Sequence, residues 1–421
     1  MQTIHVIGAG LSGLAAALSL TGAGRAVVVH EAGPAPGGRC RSYMDKELGI
    51  RIDNGNHLML SGNTAVRAYL QETGAEDQVR VADRPVFPFM DLSTQERWTV
   101  RPNMGRIPWW VLSLSRSVPD SRLLDYARMA RIAGINDDTP VAESMRRGWL
   151  YWRLVEPLAV AALNTPAQTG LARLLGAVMR ETLVKGGRAC RAILPVEGLS
   201  EAMIDPAVVT LRRRGAEVRC GSRIAELTLS DGRVTALRGP DGPIPLGPGD
   251  AVVLAVPPWV ATDLLPGLTA PDAFEAILNI HYRHEADPAG PLGEAGFIGL
   301  TSGTAEWLFM KPGHVSVTIS AANRMVDDPA QAIAQRIWPN VVDALRLGPA
   351  AKGALPPFRV VKEKRATFAA TAEQDAKRPG PETRMAANLV LAGDWTDTGL
   401  PATIEGAIRS GRTAADILLS R

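Results

Sequence analysis

Thr3-Ile4-His5-Val6-Ile7-Gly8-Ala9-Gly10-Leu11-Ser12-Gly13-Leu14-Ala15-Ala16-Ala17-Leu18 is the stretch whose reading decides the fold. Thr3 to Ile7 reads as a short buried strand, after which Leu14, Ala15 and Leu18 repeat at helical spacing. A second apolar run, Ala26 to His30, ends at Glu31. The spacing Gly-x-Gly-x-x-Gly therefore stands in the strand–turn–helix–strand context that gives it meaning. Gly8 allows the tight turn, Gly10 lets backbone approach a pyrophosphate, and Gly13 lets helix pack on strand. With Ala9, Leu11 and Ser12 they form a turn whose helix N-terminus offers free N–H groups and partial positive charge. Glu31 lies 23 residues after Gly8, with Ala32 beside it, where a carboxylate accepts hydrogen bonds from an adenosine ribose. It would repel a 2′-phosphate, which disfavours NADP.

The glycines do not separate NAD from FAD, and the following residues do. Gly37-Gly38-Arg39-Cys40-Arg41-Ser42 follows the second strand. There the planar fork of Arg39 suits phosphate oxygens. Asp53-Asn54-Gly55-Asn56-His57 is a polar turn, with Gly55 small enough for backbone to pass close to a flat ring. At the far end, a strand from Asn388 to Ala392 stops at Gly393-Asp394-Trp395-Thr396. Asp394 can bond ribityl hydroxyls. A helix opening near Ala402 brings Thr403 and Ile404 to its start, where the dipole favours the negative charge of a reduced flavin.

Three of these motifs, Gly8 to Gly13, Gly37 to Ser42 and Ala392 to Trp395, in this order and spacing, resemble the flavin amine oxidase and phytoene desaturase superfamily. The resemblance implies an α/β fold: a discontinuous Rossmann-type FAD-binding domain with an α+β substrate domain. It divides the chain into residues 1–75, 190–275 and 380–421 for FAD, and 76–189 and 276–379 for substrate. It also places Ile224, beside Arg223, where the family contacts adenine through main chain. Within the substrate segments, Leu123 to Ala133 is helical in pattern, whereas Trp307 to Met310 and Val315 to Ile319 alternate as strands. Asp231-Gly232 predicts a hairpin turn.

Over essentially the whole chain the resemblance narrows to one branch, the hydroxysqualene dehydroxylases, also called squalene-associated flavin-dependent desaturases. Gly37 to Ser42, Asp53 to Gly62, Glu156 to Thr165 and Gly393 to Ala407 carry it. It implies FAD-dependent reductive removal of an allylic hydroxyl from hydroxysqualene, giving squalene in hopanoid synthesis, with an isoprenoid lipid as partner. Flavin N5 would deliver the hydride, in a dry apolar pocket that needs a general acid. His57 and Asp397 are the catalytic candidates. His57 equally suits a backbone contact beneath the flavin, and Asp397 suits a turn or helix cap better than a catalytic role.

The remaining features bound the function. The chain has 421 residues, 46% hydrophobic and 21% charged, with a net charge of +3, too small to imply nucleic acid. Cys40, Cys190 and Cys220 have no metal-ligand spacing, so no metal is expected and a reduced, cytoplasmic compartment is. No run of about 18 apolar residues spans a bilayer. Trp109-Trp110, in an apolar stretch between Arg106 and Arg116, fits two readings: peripheral association with the inner face of the membrane, or packing inside the substrate domain. Rival functions are a carotenoid-type desaturase, an amine oxidase, or a prenyl-binding carrier of the Rab escort type that lacks flavin catalysis.

Overall fold

The computed structural model describes residues 2–421. Its first sheet is five-stranded and parallel, in the order Glu217–Arg219, Ala26–His30, Thr3–Ile7, Ala251–Leu254, Leu389–Leu391. Three distant parts of the chain thus meet in one sheet. The runs at its centre are nearly all apolar because a parallel sheet is covered on both faces; Ala251 to Leu254 is buried throughout. The helix Leu11–Gly22 crosses from the first strand to the second, and the C-terminal helix Ile404–Leu419 packs on it. Gly411 permits that approach, since a Cβ there would lie 2.0 Å from the Ser12 carbonyl oxygen. Asp231 and Gly232, with φ of 51° and 68°, turn the hairpin Glu226–Ser230 and Arg233–Gly239. Only residues tolerant of left-handed backbone fit such a turn.

The second large sheet has seven strands, in the order Phe358–Phe368, Phe274–Tyr282, His314–Ile319, Trp307–Lys311, Phe297–Thr301, Phe87–Asp91, Arg97–Val100. Side chains alternate across it. Phe89, Trp98, Phe297, Trp307 and Phe309 face a cluster of helices that includes Leu123–Ile132 and Ala172–Glu181. Leu278, Ile280, Leu308, Val315, Val317 and Ile319 face the helix Ala330–Leu345.

Two departures from the sequence pattern stand out. The segment after Glu76, read as helical, also contributes the strands Phe87–Asp91 and Arg97–Val100. Pro88 argues against a strand locally, yet it pairs with Thr99 of the next strand, and Phe89 to Asp91 pair on the other side with Phe297–Thr301, far along the chain. The later substrate segment, read as strands, contains the 16-residue helix Ala330–Leu345 with Pro339 inside it, a residue that masks helical periodicity.

Candidate flavin site

The glycine turn has the geometry its chemistry needs. Gly8 adopts φ +105°, and a Cβ at Gly13 would lie 1.9 Å from the Gly8 carbonyl oxygen. Gly10 differs: a Cβ there would meet nothing within 4 Å. The space in front of Gly10 is therefore not filled by protein, and it adjoins the start of a helix with no side-chain cap. Gly38, at φ +55°, closes the other side, since a Cβ there would sit 3.6 Å from the Gly10 Cα. Backbone N–H groups converging on an open cradle suit a pyrophosphate.

Glu31 ends the second strand with both carboxylate oxygens engaged. Oε2 accepts the Ala9 N–H at 2.9 Å and Oε1 the Gly33 N–H at 2.7 Å. This fixes the carboxylate against the cradle, with Ala32 exposed beside it, while its remaining lone pairs stay available to ribose hydroxyls. Ile224 is buried with Ile7 and Leu227, in the loop that Ser222 ties to Glu31 through a 2.8 Å backbone bond.

The two ends of the chain meet at Arg39 and Asp394. The guanidinium donates to Asp394 Oδ1 at 2.6 Å and also to the Ala366 carbonyl. Arg39 was expected to grip phosphate, and Asp394 to bond ribityl hydroxyls; here they hold one another across 355 residues of sequence. Both line a cleft with Trp259, Phe274, Thr367 and Trp395. Gly393 must lack a side chain, because its Cβ would lie 2.3 Å from the Trp395 indole nitrogen. Ser410 of the C-terminal helix accepts the Gly393 N–H at 2.9 Å and bonds Thr396 at 2.7 Å. Thr403 caps that helix by accepting the Gly406 N–H, and Ile404 is buried at its first turn. The turn and the helix start are thus one unit.

Gly55, Asn56 and His57 pack against the second sheet. The Asn56 amide donates to Ser316 Oγ at 2.7 Å and Thr318 Oγ1 at 3.0 Å. Its buried Oδ1 has no partner among the described residues. His57 Nε2 lies 3.9 Å from the Cys40 thiol. Burial lowers the His57 imidazole to about 4 and raises the Cys40 thiol to about 12, so both are neutral at neutral pH. A neutral imidazole serves as a hydrogen-bonding group and is a poor acid. Asp397 lies apart from this cluster: exposed, it accepts the Gly399 N–H at 3.2 Å and closes the surface turn.

Several residues of the site carry no local sequence signal. Arg378 is buried and donates to the Thr396 and Asp394 carbonyls and to Asp375, bracing the acidic turn. Asn279 accepts from Thr318 at 2.8 Å and donates to the Asn54 carbonyl. Next to that polar island stands an aromatic wall, since Thr318 pairs with Trp307 and Ser316 with Phe309. Phe89 stacks on Trp98 at 5.6 Å and meets Trp307 edge-on at 5.6 Å. Gly299 leaves room for the Phe89 ring, 2.6 Å from where its Cβ would be. The polar cluster around Asn56 thus shares its sheet with a set of aromatic rings buried under helices.

Known proteins are similar to this chain in sequence and in fold. The family described as flavin containing amine oxidoreductase matches residues 11–286 and 305–419. A hydroxysqualene dehydroxylase of Sinorhizobium fredii is 48% identical over all of this chain and 99% of its own length. One from Rhodopseudomonas palustris is 46% identical, over all of this chain and 99% of its own. The solved cyclohexylamine oxidase of Brevibacterium oxydans shares the fold, with a TM-score of 0.69 at 17% identity covering both chains fully. The chain belongs to the flavin-containing amine oxidoreductase family.

Proposed function

We infer that this chain is an FAD-dependent hydroxysqualene dehydroxylase, an oxidoreductase that converts hydroxysqualene to squalene. The observation that carries the reading is identity of 46–48% over full length with two proteins of that activity. The local geometry agrees with it. In the overall change the C–O bond breaks, the oxygen leaves with a proton as water, and the carbon gains a hydride. Reduced FAD supplies that hydride when bound. The chain's own residues bind, orient and exclude water. Gly8 to Gly13, Glu31, Gly38, Arg39 and Asp394 would hold the dinucleotide, with Ile224, Thr403 and Ile404 contributing further contacts.

The aromatic wall of Phe89, Trp98, Phe297, Trp307 and Phe309 backs the polar cluster around Asn56 and keeps water from that side of the site. Asn56 Oδ1, a buried acceptor with an open lone pair at the edge of that wall, orients the substrate hydroxyl. His57 would act as a neutral hydrogen-bonding group of the flavin site, and Asp397 as a turn residue. The enzyme works on the cytoplasmic side and takes its lipid from the inner leaflet of the membrane.

The test is anaerobic. Protein carrying reduced FAD is mixed with hydroxysqualene, and the product is identified by mass. Squalene forming together with flavin absorbance returning near about 450 nm supports the reading. Unchanged hydroxysqualene, or desaturation of phytoene with an oxidant, would refute it.

A further inference from the structure

We propose that the segment Ile107–Leu114, with the arginine-lined cavity beneath it, is a docking site for an anionic phospholipid leaflet through which the lipid substrate is loaded. The proposal rests on the lipid-substrate reading above and names the surface that serves it. Ile107 is 80% exposed, Trp109 50%, Leu112 69% and Leu114 96%. Four large apolar side chains in eight residues of one surface segment are more than scattered exposure explains. The segment is nonetheless anchored. Trp110 is buried edge-on against Tyr126 at 5.3 Å, and Asn103 accepts the Trp110 N–H and donates to the Ile107 carbonyl. The apolar tip is thus presented on a fixed base. Leu123 and Leu124, at the start of the adjoining helix, are also more than half exposed.

Charge selects the occupant. A cavity of about 660 Å³ opens here, and Arg84, Arg101, Arg106 and Arg116 all line it against the single acid Glu294. The Arg116 guanidinium stacks 4.7 Å from the Trp109 ring centre, which places a cation beside the most amphipathic residue of the tip. Apolar side chains ringed by guanidinium groups match an acyl layer under phosphate headgroups. A second protein copy would need a negative counterpart, and a net charge of +3 makes self-association through this basic face unfavourable.

The cavity adjoins the seven-stranded sheet at the start of the strand Phe87–Asp91. Its apolar lining includes Val86, which directly precedes Phe87, and the Phe87 ring packs 6.1 Å from Phe297 of the aromatic wall. Its volume falls within the roughly 300–1,000 Å³ of ligand clefts.

The experiment is flotation of the full FAD-loaded protein with vesicles of phosphatidylcholine alone or with phosphatidylglycerol. Each basic residue near an anionic surface contributes roughly fivefold to partitioning. The wild type is expected to float with the anionic vesicles, and Arg84→Gln/Arg106→Gln to fall at least tenfold on them only. Leu112→Ser/Leu114→Ser should fall at least tenfold as well. It should still turn over detergent-dispersed hydroxysqualene, which shows that it is folded. Wild-type protein that stays unbound, or variants that float like wild type, would overturn the proposal. So would a variant whose only change is loss of a dimer on size exclusion. Failure of flotation with turnover intact removes the docking site and leaves the enzymatic reading standing.

Discussion

Two glycines of the opening turn separate packing from ligand approach, and one added methyl at each tests which is which. At Gly13 the new Cβ would lie 1.9 Å from the Gly8 carbonyl oxygen and 3.2 Å from the Ala255 Cβ. An ordinary contact is about 3.5 Å, so the helix must withdraw by roughly 1.5 Å from the first strand. Overpacking of this kind costs about 1–3 kcal/mol, so Gly13→Ala should lower the stability of the FAD-free protein by that amount. At Gly10 the backbone sits at φ −73° and the space is open, so alanine is sterically permitted. Gly10→Ala should leave FAD-free stability within about 0.5 kcal/mol or raise it slightly. It should nevertheless weaken FAD at least tenfold, about 1.4 kcal/mol, because the methyl occupies the cradle. Urea unfolding of the FAD-free protein and titration by flavin fluorescence quenching measure the two quantities. Gly10→Ala protein that binds FAD as wild type does would refute the assignment of the cradle.

Other expected outcomes follow from buried charge and hydrogen bonding. Lys311 and Asp53 pair at 2.8 Å with their side chains 10% and 4% exposed, so Lys311→Met alone should cost about 3 kcal/mol, and Lys311→Met/Asp53→Asn should recover much of it by urea unfolding. His30, stacked on His5 and bonded to Ser222, is lowered by burial to about 4. Its unfolded form therefore binds the proton first, and stability should fall as pH drops from about 6.5 to about 4, then level off, by up to about 3 kcal/mol. The wild-type-minus-His30→Asn difference in unfolding free energy should shrink over that window; a flat difference would count against it. Asp394→Asn removes the charge that meets Arg39, and FAD retention on gel filtration should drop about tenfold or more. Since the His57 imidazole stays neutral above about 4, the pH profile of turnover between 6 and 8 should keep its shape in His57→Gln.

Much of the dinucleotide half was readable from local pattern. The glycine spacing, the run ending at Glu31 and the Gly393-Asp394 turn each report a backbone requirement met within about a dozen residues. The strands Trp307–Lys311 and His314–Ile319 and the hairpin at Asp231-Gly232 were readable for the same reason. Local pattern is silent where the decisive partner is distant. Pro88 hid a strand that sits between Arg97–Val100 and the distant Phe297–Thr301, and nothing around Arg378 announces that it braces Asp394. Trp109 and Trp110 are adjacent and identical in sequence terms, yet one is half-exposed beside Arg116 and the other is buried on Tyr126.

By itself, then, the sequence determined that this protein builds a parallel nucleotide-binding sheet and closes it with an acidic turn. Glycine conformation, strand alternation and helix starts are short-range properties of the chain. Only the tertiary structure decided that Arg39 faces Asp394, that His57 is neutral, and that five aromatic rings form one wall. Those properties depend on which distant side chains exclude water from one another, and desolvation is set by the assembled surface rather than by neighbours in the chain.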